Sequence, residues 1–486
     1  MQADTAVDRT NVGLKVDGQA RTRSLRAHHI VFFVVAAAAP LGFAVGSVPW
    51  AVGHGGIGTA CMFLLVGVLL AIFAIGFTTM SHFVPNAGAF FSYIALGLGR
   101  PLGLGAAFLA TFAYALGTIG SYGAFAVFAS QATTALAGTH TPWQAWAFGA
   151  VAVTGILGVL NVDLNLRVLG TMLFAELMVL LLLSVGIITA GGAQGLSFGP
   201  LQPSSVDLHG IGVVFLIVFA AFTGFEATAL FREEVGDPKV TIRRATFIAI
   251  VLIAIFQAFV CWSIIEAFGD RAVEVARQNP TQMYALASVR YVGPTFSRVV
   301  ALLVVNSWLA SIIAFHNVTA RYVFILARDR AVPAIFARRW QRTGAPWLAS
   351  IATTVVSGAS VWCCSAMKLD PYLDLFIISS VPISLAIPCM ECLTAVSIVA
   401  FFWGNRRGES VFSTFMSPAI SAVVLAAVVY LSLENMRFYT GRDGALNWLL
   451  PATNVVVLVI GISRAKWLRL KDPAAYLQLG HWGDKL

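Results

Sequence analysis

Residues 36–47 read AAAAPLGFAVGS, in the middle of an apolar run that begins near His28. Pro40 has no amide hydrogen and its ring clashes with the carbonyl of Ala36, so a helix cannot pass this point without freeing backbone groups. At bilayer depth such groups are tolerated only where they are buried in protein or line a wet cavity, which makes the break a candidate binding site. For Pro40 alone, a kink in a packing helix is the plainer alternative. A second interruption occurs in residues 219–234, FAAFTGFEATALFREE, where Gly224 is followed by the acid Glu226. Interrupted spans in corresponding positions of two halves predict an inverted repeat with a substrate site at the midplane. Freed amides can hold a carboxylate and freed carbonyls an ammonium group or cation, a polarity that fits a zwitterionic amino acid.

The rest of the 486 residues has the composition such a fold needs. Hydrophobic residues make up 58% and charged residues 11%, with mean hydropathy +0.83, which excludes a soluble globular chain. Hydropathy predicts about twelve spans, at 28–51, 58–80, 101–134, 143–161, 168–190, 208–231, 242–266, 295–327, 347–367, 372–404, 410–434 and 446–463. The segment 81–100 reads as an interfacial helix between spans two and three. The Gly-, Ser- and Pro-rich loop 191–210 separates two halves of five spans, 28–190 and 208–404, and leaves spans eleven and twelve (410–463) as additions. The expectation is therefore an all-α polytopic membrane protein with a transport domain at 28–463 and cytoplasmic tails at 1–27 and 464–486.

The charge of +9 and pI near 9.4 do not point to nucleic acid, because the basic residues lie between spans rather than in one stripe. With the N-terminus in the cytoplasm, 24 of the 31 Lys and Arg fall on that side and 7 on the other, as the positive-inside rule expects. The polar, basic first 27 residues do not read as a cleavable signal peptide. Cys61, Cys261, Cys363, Cys364, Cys389 and Cys392 all fall within predicted spans and read as small apolar residues, with no cofactor or metal site expected.

Three carboxylates sit inside predicted spans. Glu176, Glu226 and Glu391 each cost ~2.5–3.5 kcal/mol to insert if charged near a helix centre, so each needs compensation or a function. An acid that meets water on each side in turn can carry a proton. The competing reading for all three is a hydrogen-bonded packing residue. Glu226 lies two residues past the span-six break, within reach of the backbone freed there. Glu391 would suit a cationic substrate or simply bond a neighbouring helix. Tyr114, Tyr122, Asn306, Ser307 and Ser311 are candidate cavity-lining groups, and His316 and Asn317 read as helix-to-helix bonds.

Several strings resemble the amino acid-polyamine-organocation superfamily, particularly its bacterial amino acid permeases. They are FAAFTGFE at Phe219 to Glu226, EEVGDP at Glu233 to Pro238, IRRA at Ile242 to Ala245, HNVTARYVFILARDRAVP at His316 to Pro333, and NAGAFFSY at Asn86 to Tyr93. The resemblance implies a five-plus-five inverted-repeat fold in which substrate lies between broken helices one and six. It places the binding backbone at Ala38, Ala39, Pro40, Leu41 and Gly42, and at Ala220, Phe222, Thr223 and Gly224, with Phe222 a gate or side-chain contact. It also places Glu176 where some proton-coupled relatives use a lysine in place of a sodium ion, which makes Glu176 the candidate coupling site. Two departures stand out. The family's Gly-Ser/Thr-Gly is here Pro40-Leu41-Gly42, and an expected aromatic is Ala220.

The function implied is a secondary transporter of amino acids or related small organic solutes, coupled to protons and resident in a bacterial-type plasma membrane. A polyamine or organocation exchanger and a non-transporting solute sensor are the alternatives on the same fold. The sequence has no H-E-x-x-H or G-x-S-x-G, no G-x-x-x-x-G-K-[ST] and no filter-like loop repeat, which argues against a membrane enzyme, an ATP-driven pump and a channel.

Overall fold

Span one is three helical pieces. In the computed structural model, which describes residues 27–84, 89–160, 166–226, 228–229, 235, 237–340 and 344–479, it enters as Ala27–Ala37, resumes as Pro40–Gly46 and bends at Ser47 into Val48–Gly55. Ala39 bridges the first gap in the left-handed region, at φ 43° and ψ 64°. That conformation costs an L-residue roughly 1–2 kcal/mol and persists only where the surroundings enforce it. Span six is Ile211–Ala221, which ends in a tight turn at residues 222–224. Gly224 has φ 108°, a conformation open to glycine because it lacks a Cβ.

Ten further helices are long and apolar enough to cross a bilayer among the described residues. In chain order they are Thr59–Ser81 (span two), Arg100–Ala137 (three), Trp143–Leu160 (four), Gly170–Thr189 (five), Lys239–Glu266 (seven), Pro294–Arg328 (eight), Trp347–Ala366 (nine), Pro371–Phe402 (ten), Phe412–Glu434 (eleven) and Leu446–Lys471 (twelve). With the two broken spans this is the all-α, five-plus-five architecture with two added helices that the sequence predicts.

Spans three, eight and ten pack against one another or against the broken helices, and span seven lies along span two. Lipid tails are as apolar as leucine, so such packing relies on small residues that let backbones approach. A Cβ on Gly461 of span twelve would lie 2.7 Å from the Cα of Gly105 on span three. The outer surface carries exposed Phe174, Val185, Ile255, Val423 and Val455, as a lipid-facing surface should.

The segment 81–100, read as an interfacial helix, packs one face against the bundle. Its helix Ala89–Leu98 buries Phe90, Phe91, Tyr93 and Ile94, and Phe90 meets Phe73 and Phe77 of span two edge to face. Pro85 to Gly88 lie outside the described residues. One boundary needs correction. Span twelve continues past residue 463 to Lys471 and is followed by Pro473–Gln478. Hydropathy stops at Arg464, but RAKWLRLK is a strong helix former, and Arg464 donates to the carbonyls of Ala331 (3.0 Å) and Arg330 (2.8 Å). The tails at 1–26 and 480–486 lie outside the described residues, as does part of the EEVGDP string.

Candidate functional site

The break in span one separates two sets of backbone groups, and they meet different partners. In an unbroken helix the carbonyls of Ala36, Ala37 and Ala38 would accept from residues 40, 41 and 42. Pro40 has nothing to donate. The Gly42 N–H instead donates to Ser307 Oγ of span eight at 3.1 Å, and Ser307 in turn donates to Glu176 Oε2 of span five at 2.8 Å. The Leu41 amide lies beside the same carboxylate. The positive end of the second half-helix is thus closed by a buried carboxylate of the protein itself, the sign of charge that a helix N-terminus favours.

Span six closes its own break in a similar way. The Gly224 N–H donates to Glu226 Oε2 at 2.9 Å, and Tyr114 Oη of span three donates to Glu226 Oε1 at 3.0 Å. Tyr114 stacks on Tyr322 of span eight, and the neighbouring Phe225 meets Phe73 and Phe77 edge to face. Glu226 therefore anchors an aromatic plug on the side of the bundle where span one begins.

Between these closures lies a cavity of about 100 Å³. Its wall is formed by Ala38, Ala39, Phe43, Ser47 and Trp50 of span one, Gly117 and Ser121 of span three, and Ile217, Ala220 and Thr223 of span six. Trp308, Ser311 and Phe315 of span eight, Phe376, Ile377, Ser380, Ile383 and Ser384 of span ten, and Tyr439 complete it. None of these is charged. At the end opposite the plug, Trp50 Nε1 donates to the Tyr439 carbonyl (3.2 Å) and Tyr372 Oη to the Gly46 carbonyl (2.9 Å).

Of the residues singled out in the sequence, Ala38, Ala39, Ala220, Thr223 and Ser311 line this cavity. Pro40, Leu41, Gly42 and Ser307 do not, because the second half-helix turns its amides toward spans five and eight. Phe222 is buried and points at Gly67 of span two, so it is not a wall residue, and Gly224 serves the turn. Tyr114 belongs to the plug. Tyr122 pairs with Thr154 of span four at 2.5 Å, away from the cavity, and Asn306 is half-buried outside the wall. Glu391 is fully buried and within electrostatic reach of Glu226. His316 bonds Ser350 of span nine at 2.9 Å, as a helix-to-helix contact, whereas Asn317 is exposed.

The aromatic wall from Phe43, Trp50, Trp308, Phe315 and Phe376 was not singled out in the sequence. Its one legible trace is the run of small residues at Gly117, Gly120, Ser121, Ser379 and Ser380, which marks where spans three and ten leave room. Among the described residues, no group of three or more His, Cys, Asp or Glu is arranged to hold a metal ion.

A profile of the amino acid permease family matches residues 30–463. Proteins of Mycobacterium bovis and Mycobacterium tuberculosis described as uncharacterized transporters are 26% identical over 183 residues. The match spans 37% of this chain and 41% of each relative, so the chain covers under half the length of these curated relatives. Crystal structures of an Eremococcus coleocola manganese transporter superpose with TM-score 0.54 for a complex with an aromatic bis-isothiourea compound and 0.50 for a mutant form. Each is 15% identical and covers 92% of this chain and 95% of the other. That likeness concerns the fold.

Proposed function

The chain belongs to the amino acid permease family and is an integral membrane transporter, and from that premise we propose that it carries an amino acid or a related small amine by proton-coupled alternating access. The observation that supports this reading is the uncharged cavity lined by the broken spans one and six. A pocket with separate groups of residues packed on its two sides suits a carrier, which opens to one side at a time. The wall's hydroxyls and aromatic rings suit an organic solute better than a hard divalent cation, which needs carboxylate or carbonyl cages.

In this reading the chain sits in a plasma membrane with both termini in the cytoplasm, so the aromatic plug at Glu226 closes the cytoplasmic side. Trp50, Tyr372 and Tyr439 form the thinner outer closure. Glu176 is the coupling acid. It holds span eight to the moving half of span one through Ser307, so taking up a proton weakens that tie and favours reorganisation of span one. Glu226 gates the cytoplasmic side by holding Tyr114 and the span-six turn together.

Purified protein in proteoliposomes tests the reading. An inward pH gradient should drive accumulation of labelled amine or amino acid, and solute entry should acidify the lumen. Binding without any movement of solute under either gradient would replace the transporter with a sensor.

A further inference from the structure

One residue of the cavity wall does not belong to the five-plus-five core. Tyr439 is carried by the short helix Met436–Thr440, in the connection between spans eleven and twelve, whereas every other wall residue comes from spans one, three, six, eight or ten. This connection is folded on itself. Thr440 Oγ1 donates to Asn447 Oδ1 (2.6 Å), Asn447 Nδ2 donates to the Arg442 carbonyl (2.8 Å), and Arg437 pairs with Asp443 (2.5 Å). Residues 436–447 are therefore one folded unit and not a loose loop.

Three contacts hold this unit over the end of the cavity opposite the plug. The Tyr439 carbonyl accepts from Trp50 Nε1, and the Tyr439 hydroxyl lies 3.4 Å from Ser384 Oγ of span ten, which also lines the cavity. Arg442 Nη2 pairs with Asp374 Oδ1 of span ten at 2.5 Å. The Asp374 side chain is 8% exposed and its second oxygen accepts from the Asp370 N–H at 2.9 Å, so this carboxylate is fixed on the core. The Arg442 side chain is 46% exposed. An ion pair with one partner open to water gains little net energy, so it releases and re-forms readily, as a latch must.

From these contacts we infer that residues 436–447 are the outer lid of the cavity, latched by Arg442 on Asp374, and that Tyr439 at the inner face of the lid touches the solute and limits the size that fits. The inference rests on the carrier reading above and adds to it a route and a selectivity contact. Solute passes beside Trp50 and Ser384 once the latch opens. Spans eleven and twelve, which the repeat itself does not need, carry the lid.

The test uses the full chain with Ser384→Cys, in which labelling at position 384 by a water-soluble maleimide is followed by mass spectrometry of that peptide. Adding Arg442→Gln or Asp374→Asn should speed this labelling about two- to fivefold, the range set by the loss of one such pair, in protein that melts near the temperature of the Ser384→Cys parent. Arg442→Lys should keep the slow rate. In proteoliposomes Tyr439→Ala should raise the uptake of tryptamine relative to phenethylamine by about tenfold. Equal labelling rates in the folded Arg442→Gln, Asp374→Asn and parent proteins overturn the lid, and an unchanged uptake ratio overturns the contact at Tyr439, while transport of either amine keeps the carrier reading alive. Faster labelling in the unlatched variants of a protein that moves neither amine nor phenylalanine overturns the carrier reading and leaves the lid standing.

Discussion

Ser307 donates a hydrogen bond to Glu176 across 2.8 Å while accepting one from the Gly42 amide, so one hydroxyl ties span five, span eight and the broken half of span one. Replacing Ser307 by Ala strands a buried amide and one carboxylate oxygen, at a cost of about 1–3 kcal/mol. The Ser307→Ala protein should melt at lower temperature and lose proton-driven uptake. A double-mutant cycle with Glu176→Gln should show coupling of roughly 0.5–3 kcal/mol, whereas additive effects would mean that the two side chains act separately.

Tyr114 and Glu226 make the corresponding tie at span six. Tyr114→Phe keeps the stacking on Tyr322 and removes only the 3.0 Å bond. We expect a loss of about 1–3 kcal/mol in stability and a change in maximal transport rate larger than the change in KM, because the bond lies in the plug and not in the cavity. An increase in KM at unchanged rate would place Tyr114 in the binding site instead.

Gly46 is held against Trp308. A Cβ there would come within 2.6 Å of Trp308 Cζ2, and the ring already rests edge to face on Phe376 with centroids 5.0 Å apart. Gly46→Ala must therefore push the indole toward the cavity, at a cost of about 1–3 kcal/mol. Ligand affinity should fall while transport of a smaller amine such as methylamine is affected less. Equal affinity in wild type and variant would show that the indole has room to retreat.

Asp329 caps the end of span eight, where burial pushes its carboxyl up to about 7 against the opposing influence of Arg328, 3.9 Å away. A carboxyl raised above its ordinary value of 3.8 binds protons more tightly in the folded state. Stability is therefore full below about pH 4 and declines as pH rises toward about 7, then levels. Thermal melts from pH 4.5 to 8 should show this decline, and Asp329→Asn should flatten it. A slope that survives in Asp329→Asn would assign the effect to another group.

How far the sequence carries depends on which interaction is read. The spans follow from apolar length, and the two breaks from Pro40 and Gly224, because local backbone chemistry determines both. The facing of each helix is not legible in the same way. A span apolar on every side gives no period by which to rotate it, so Trp308, Phe376 and Trp50 could not be told from lipid-facing residues. Glu176 was legible as an acid at bilayer depth, but its partner Ser307 is 131 positions away. For the same reason Leu41 and Gly42 are expected in the wall, whereas the Gly42 amide turns to Ser307, which bonds the protein's own carboxylate. Tyr122 shows the converse, a buried polar residue whose partner is a neighbouring helix.

The account depends on the cavity beside Ala39 and Ala220 being the place where solute is held in transit. Ala220→Trp tests this most directly, since the indole would fill a space of about 100 Å³ with no change to Glu176, Ser307 or the plug. Uptake of labelled phenethylamine and phenylalanine into proteoliposomes under an inward pH gradient should vanish in this variant while the melting temperature is kept. Uptake at the wild-type rate through a folded Ala220→Trp protein would contradict the account.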